Sequence, residues 1–215
     1  METEEQLLKA VKSGDRQAMR RLYERYKGYA MSIGLRYIPD SDDVEDVVQD
    51  SFVKILTSVQ HIDYQGEGSL TAWVRKTVVN KALDFVRKHE RISFTGTIPD
   101  IPDEEPELER IPPHILSRMI AQLPSGYRLV LNLYIFEHCS HQEIAQRLGI
   151  KENSSTSQLA RAKQMLIKMM KDYIKRHKIR NKINGLRGLK SIWQTTVRSR
   201  SATYGKALRL HLIKR

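Results

Sequence analysis

SDDVEDVVQDSFVKILTSV, residues 41–59, decides how the rest of the chain is read. Val44, Val47, Val48, Ile55, Leu56 and Val59 fall on one face at helical spacing, which predicts an amphipathic helix. Ser41 is placed to cap its free amides, and Asp42, Asp43, Glu45 and Asp46 sit where the positive end of the helix dipole favours them. The outward face keeps Asp46, Gln49, Asp50 and Val53. A glycine-containing loop, QHIDYQGEG (60–68), leads into SLTAWVRKTVVNKALDFVRK (69–88), whose inner side is expected to hold Leu70, Trp73, Val74, Thr77, Val78 and Phe85. Its outer side carries Arg75, Lys76, Asn80, Lys81, Arg87 and Lys88. An acidic helix face followed by a basic one suggests a module that grips two different partners, where a plain helical bundle with solvated charges would need no such order.

Working outward, Thr3 and Gln6 predict a capping box for a short helix from Glu4 to Lys12, broken at Ser13-Gly14. Asp15 caps a longer helix with Ala18, Leu22, Tyr26, Tyr29, Ala30 and Ile33 as its apolar stripe, ended by Pro39-Asp40. The tyrosines fit a core stripe better than a base-stacking platform. From Ile92 to Pro113 the character changes: Pro99, Pro102, Pro106, Pro112 and Pro113 interrupt any helix, and six carboxylates make the stretch acidic. It reads as an extended linker.

A second helical domain follows. Ile115, Met119, Ile120 and Leu123 predict one helix, ended by Pro124, and Leu129, Val130, Leu133 and Tyr134 another. Ser140 and Glu143 form an S-x-x-E capping box opening a helix with Ile144, Ala145 and Leu148 inside. Gly149 turns the chain, Ile150 returns to the core, and Asn153 or Ser154 is expected to cap a last helix through Leu159, Ala162, Leu166, Met169 and Tyr173. Helix, glycine turn and helix at this spacing predict a helix-turn-helix. In such a motif the start of the second helix lies nearest the bases. Ser154, Ser155, Thr156, Gln158 and Arg161 are therefore the candidate base readers.

DVEDVVQDSFVKI followed by SLTAWVRKTVVNKALDFVRK resembles region 2 of the sigma-70 family of bacterial RNA polymerase sigma factors, and LPSGYRLVLNLYIFEHCSHQEIAQRLGIKENSSTSQLARAKQML resembles region 4. The two lie in family order over about residues 5–174, and the short linker matches the two-domain extracytoplasmic-function subgroup. The resemblance implies an all-α fold. Its domains would be region 2 at 1–91, a linker at 92–112 and region 4 at 113–174, with a basic tail at 175–215. It implies that Asp46, Gln49 and Asp50 meet the β′ clamp helices of core polymerase, and that region 4 meets the β flap. Arg75, Lys76, Asn80, Lys81, Arg87 and Lys88 would face the promoter −10 element, with an unstacked base held by Tyr64, Gln65, Gly66 and Glu67. The helix-turn-helix would read the −35 element, although SSTSQL replaces the more basic "GTVKSRL" of many relatives. An anti-sigma factor is a further expected partner. Trp73 is expected to be a core residue rather than a base stacker.

Composition bounds these readings. The net charge of +12 comes from the tail: residues 175–215 hold 13 of the 37 Lys and Arg and no Asp or Glu, whereas the first 174 residues carry 24 Lys and Arg against 25 Asp and Glu. Any case for DNA must therefore rest on local faces. The tail predicts a sequence-independent electrostatic arm, with a membrane-surface helix or a helix packed on the second domain as alternatives. No run of about 18 apolar residues predicts a membrane span. METEEQLL lacks a signal-peptide profile, and Cys139, the single cysteine, excludes an internal disulfide, so the expected location is the cytoplasm. No P-loop, GxGxxG, HExxH or nucleophile motif is present, so neither catalysis nor a cofactor, metal or small-molecule substrate is expected. His138 and His141 beside Cys139 read as a helix-boundary cluster. The competing function is a conventional helix-turn-helix regulator acting on duplex DNA without polymerase.

Overall fold

The computed structural model describes residues 2–89 and 111–184, with residues 177–184 as backbone alone. Eight α-helices and one 3-10 turn, and no strand, occur among the described residues: the fold is all-α. They belong to two compact units, one within residues 1–92 and one within 93–215. All but the last two residues of the expected linker lie outside the described residues, as does the tail beyond Asn184.

The N-terminal unit contains α1 (Glu4–Lys12), α2 (Arg16–Tyr37), α3 (Ser41–Thr57), the 3-10 turn Val59–His61, and α4 (Ser69–His89). Helix α1 has the capping box of Thr3 and Gln6, and Asp15 accepts from the Gln17 amide at the start of α2. At α3 the cap is Asp40, not Ser41. Its carboxylate accepts from the amides of Asp42 and Asp43 at 2.9 and 3.2 Å, which moves Ser41 into the first turn. Helices α2, α3 and α4 pack mutually around Leu22, Ile33, Val44, Val48, Ile55, Leu70, Val74 and Val78, all at most 1% exposed. Burying each such side chain is worth about 1.5–3 kcal/mol. Tyr23 meets Phe52 edge-on across the α2–α3 seam at 4.8 Å. Gly34 is buried there, and a Cβ at that position would lie 2.6 Å from Val44 Cγ1, so the absent side chain sets how closely α2 and α3 approach.

The buried stripe of α4 is Leu70, Val74, Val78, Val79, Ala82, Leu83 and Val86. Trp73, Thr77 and Phe85, expected inside, are only half-buried, because the stripe is centred one position further round. Tyr29 and Leu56 are likewise half-buried at the margins of their stripes.

The C-terminal unit contains α5 (Pro113–Ala121), α6 (Ser125–Ile135), α7 (His141–Leu148) and α8 (Glu152–Asn184). Helix α6 is buried from Gly126 to Leu133. The Arg128 guanidinium, 4% exposed, donates to the carbonyls of Ala121 and Leu123 at 3.3 and 3.1 Å, satisfying the end of α5. Tyr134, expected inside, is half-buried and stacks on His141 at 4.9 Å. Along α8 the buried apolar residues are Leu159, Ala162, Leu166 and Met170. Met169 and Tyr173 line an open cleft of about 490 Å³ beside Ile115, Met119 and Asp172. Helix α8 continues to Asn184, into the stretch expected to be tail.

Candidate nucleic-acid interface

On α3, Asp46, Gln49 and Asp50 are all exposed, beside Val53, which is 62% exposed. On α4, Lys76, Asn80, Arg87 and Lys88 are exposed, and Arg75 and Lys81 half-buried. The two faces meet: Lys81 Nζ lies 3.8 Å from Asp50 Oδ2. Beside that pair, Lys54, Ser58, Trp73, Thr77, Asn80, Lys81 and Asp84 line a groove of about 380 Å³. Trp73 thus offers part of its ring to the surface.

The loop between the 3-10 turn and α4 is locally closed. The Ser69 hydroxyl donates to the Gly66 carbonyl at 2.6 Å and accepts from the Gln65 amide at 3.1 Å. Gly66 and Gly68 have φ of 117° and 93°, a region that glycine enters at no steric cost. Tyr64 is half-buried, and burial, with Glu67, Glu5 and Glu4 nearby, pushes its hydroxyl pKa up. Gln65 and Glu67 are exposed.

Beneath the loop lies Glu4, which no local motif announces. It is 3% exposed. Burial raises its carboxyl, but hydrogen bonds from Thr71, Tyr26, Leu70 and Gly68 outweigh that and hold it below the ordinary value. Burial, with the Glu4 charge beside it, pushes Tyr26 up to about 12. The signs are opposite. Glu4 favours the fold above its ordinary 4.5, and that contribution fades as pH falls through the lowered value. Protonated Tyr26 favours the fold below its ordinary 10.0, a contribution lost as pH rises through about 12. Absorbance titration is expected to show Tyr26 ionising near pH 12 as the N-terminal unit loses helicity. Ordinary ionisation of Tyr26 near pH 10 would contradict this.

The helix-turn-helix is formed by α7 and α8. The Ser140 hydroxyl accepts from the Glu143 amide at 3.2 Å and the Ser140 amide donates back to Glu143 Oε2 at 2.7 Å, which lowers the Glu143 pKa. Gly149 takes φ 66° to end α7. Helix α8 begins at Glu152, so Asn153 and Ser154 lie inside its first turn rather than capping it. The amides of Ser154 and Ser155 donate to the Lys151 carbonyl instead. Two candidate base readers are turned inward. Ser155 is fully buried with its hydroxyl 2.9 Å from His141 Nδ1, and Gln158 is 6% exposed with its Oε1 enclosed. Thr156 is exposed and Ser154 and Arg161 half-buried, beside exposed Asn153 and Ser157, which sequence reasoning passed over.

With this geometry in view, comparison with known families is decisive. Sigma-70 region 2 matches residues 22–92 and sigma-70 region 4 matches residues 114–166. The chain belongs to the sigma-70 family of RNA polymerase sigma factors. Its curated relatives place this sigma factor in the extracytoplasmic-function group. The ECF RNA polymerase sigma factor SigE of Mycolicibacterium smegmatis is 29% identical over 77% of this chain and 66% of its own length. The ECF RNA polymerase sigma-E factor of Salmonella typhimurium is 26% identical over 81% of this chain and 97% of its own, and that of Escherichia coli K12 25% over the same shares. A solved structure of CnrH in complex with the cytosolic domain of CnrY is similar over 77% of this chain and 96% of its own, at 24% identity and a TM-score of 0.43. Such a sigma factor directs transcription initiation, with RNA polymerase and promoter DNA as its partners. Among the described residues no helix is long and apolar enough to cross a membrane.

Proposed function

We propose that this sigma factor docks on the β′ clamp helices of core polymerase through Asp46, Gln49 and Asp50, and engages the two promoter elements with separate units. Residues 1–91 would serve as the core-binding and −10 unit and 113–174 as the −35 unit, on either side of the acidic linker. The observation that carries the reading is the juxtaposition of α3 and α4. An acidic face and a basic one share a rigid helix pair and touch at Asp50 and Lys81. Carboxylates on a rigid helix suit a basic protein surface and steer the encounter. Arg75, Lys76, Asn80, Lys81, Arg87 and Lys88 suit a phosphate backbone, and the loop Tyr64, Gln65, Gly66 and Glu67 suits a base exposed by melting.

For the −35 element the reading shifts along α8. Asn153, Ser154, Thr156, Ser157 and Arg161 form the accessible front, while Ser155 and Gln158 support it from within. The protein has no chemistry of its own, works in the cytoplasm, offers the β flap a surface on its C-terminal unit and is a fit target for an anti-sigma factor.

Promoter swaps test the division of labour. With core polymerase in vitro, Asn80→Ala and Lys81→Ala are expected to impair opening in proportion to the −10 sequence, and Arg161→Ala to respond only to changes at −35. Equal responses of all three variants to both elements would refute it. Repression without core-dependent initiation would instead favour a conventional regulator.

A further inference from the structure

Helix α1 spans both ends of the loop that joins α3 to α4. At one end Lys12 Nζ donates to the Ile62 carbonyl at 2.6 Å, and the Lys12 carbonyl accepts from Gln60 Nε2 at 2.7 Å. At the other, Glu4 Oε2 accepts from the amides of Gly68 and Leu70 at 2.9 and 3.2 Å, while Oε1 accepts from the hydroxyls of Thr71 and Tyr26, both at 2.7 Å. Glu4 therefore caps α4 from a different helix. A buried carboxylate is tolerated only when so fully bonded. At 1.5 Å rise per residue, Glu4 and Lys12 stand about 12 Å apart along one rigid rod. The residues between the two anchored ends are Asp63 to Glu67.

We infer that Glu4 and Lys12 are positioning residues for promoter opening: α1 holds the two feet of the loop at a fixed separation, so that residues 64–67 meet an unstacked base as a preformed pocket. The inference rests on the reading of that loop as the −10 base holder. Its physical basis is preorganisation, since a loop ordered beforehand loses no conformational freedom on binding. Neither residue touches DNA in this scheme. Nor does α1 depend on the carboxylate for its own docking, because Leu7, Leu8 and Val11 are at most 3% exposed.

The experiment uses holoenzyme assembled from the full chain. Its probe is fork DNA with a single-stranded non-template −10 segment, prepared with each of the four bases at each −10 position. Wild type is expected to prefer one base at one position. Glu4→Ala and, independently, Lys12→Ala are expected to reduce that preference roughly tenfold, the worth of about one well-held base. Affinity for core and for duplex −35 DNA should not change. Glu4→Gln is expected to restore most of the preference: its carbonyl can still accept from the Gly68 and Leu70 amides while its amide donates to the two hydroxyl oxygens. Undiminished preference in both alanine variants overturns the inference. So does a parallel loss of core binding, −35 binding and preference in Lys12→Ala, which would make α1 a merely structural support. A wild type without any base preference would instead refute the base-holding loop itself, and the inference with it. Because Lys12 lies outside the core, its variant decides the matter if Glu4→Ala does not fold.

Discussion

Exchanging Asp46 and Asp50 together for lysine is expected to abolish stable binding to core polymerase while leaving the N-terminal unit folded. Both residues lie off the apolar stripe of α3, and the Asp50 side chain is 74% exposed. The intramolecular loss is the pair with Lys81, worth roughly 0.2–1 kcal/mol at such exposure. Asp42 and Asp43 remain in the first turn to oppose the helix dipole. Across the interface, by contrast, like charges brought together cost several kcal/mol, about a hundredfold or more in affinity. Fluorescence anisotropy with core polymerase, alongside circular dichroism, separates the two effects. Unchanged affinity in a folded double variant would remove this face from the interface.

Gly34→Val should produce the largest stability loss among conservative changes in the N-terminal unit. Its Cβ would stand 2.6 Å from Val44 Cγ1, well inside contact distance, and Val44 is stiff about its first side-chain torsion. Overpacking of this kind costs about 1–3 kcal/mol. Replacing a helical glycine returns less than about 1 kcal/mol of that. A loss near 2 kcal/mol corresponds to a fall in melting temperature of roughly 8–16 °C for a domain of this size. Combined with Val44→Ala, which removes the clashing methyls, Gly34→Val should cost less than the sum of the two single changes. Strict additivity in thermal or urea unfolding would mean that α2 and α3 do not meet as described.

What the sequence disclosed was local. The capping boxes Thr3–Gln6 and Ser140–Glu143 are legible because both partners sit within one turn, and most of the stripes of α2 and α3 because their apolar residues recur at helical spacing between charged ones. Stripe position on α4 was harder. It packs against both α2 and α3, so its buried sector is centred on Val78, Val79 and Ala82, and Trp73 falls at the rim. Adjacent cap-forming residues, Asp40 and Ser41, look equivalent until the chain path selects one. Ser155 and Gln158 were named as base readers because they stand at the start of the second helix, yet both are buried in the unit, and His141 on α7 supplies Ser155 with a partner. The role of Glu4 was not legible at all, since each of its bonds to the α4 start crosses more than sixty residues of chain.

That separation gives Glu4 a particular place in the birth of the molecule. It leaves the ribosome more than sixty residues ahead of the amides of Gly68 and Leu70 and the hydroxyl of Thr71, the last of its partners to emerge. At about 5–20 residues per second the carboxylate waits several seconds in water before its site exists. Until then α1 has only part of its final surroundings, and a nine-residue helix is too short to persist alone. The N-terminal unit therefore closes from both ends of its sequence at once, late in its own synthesis. A nascent chain stalled before Thr71 should leave α1 open to protease, whereas one stalled well beyond α4 should protect it.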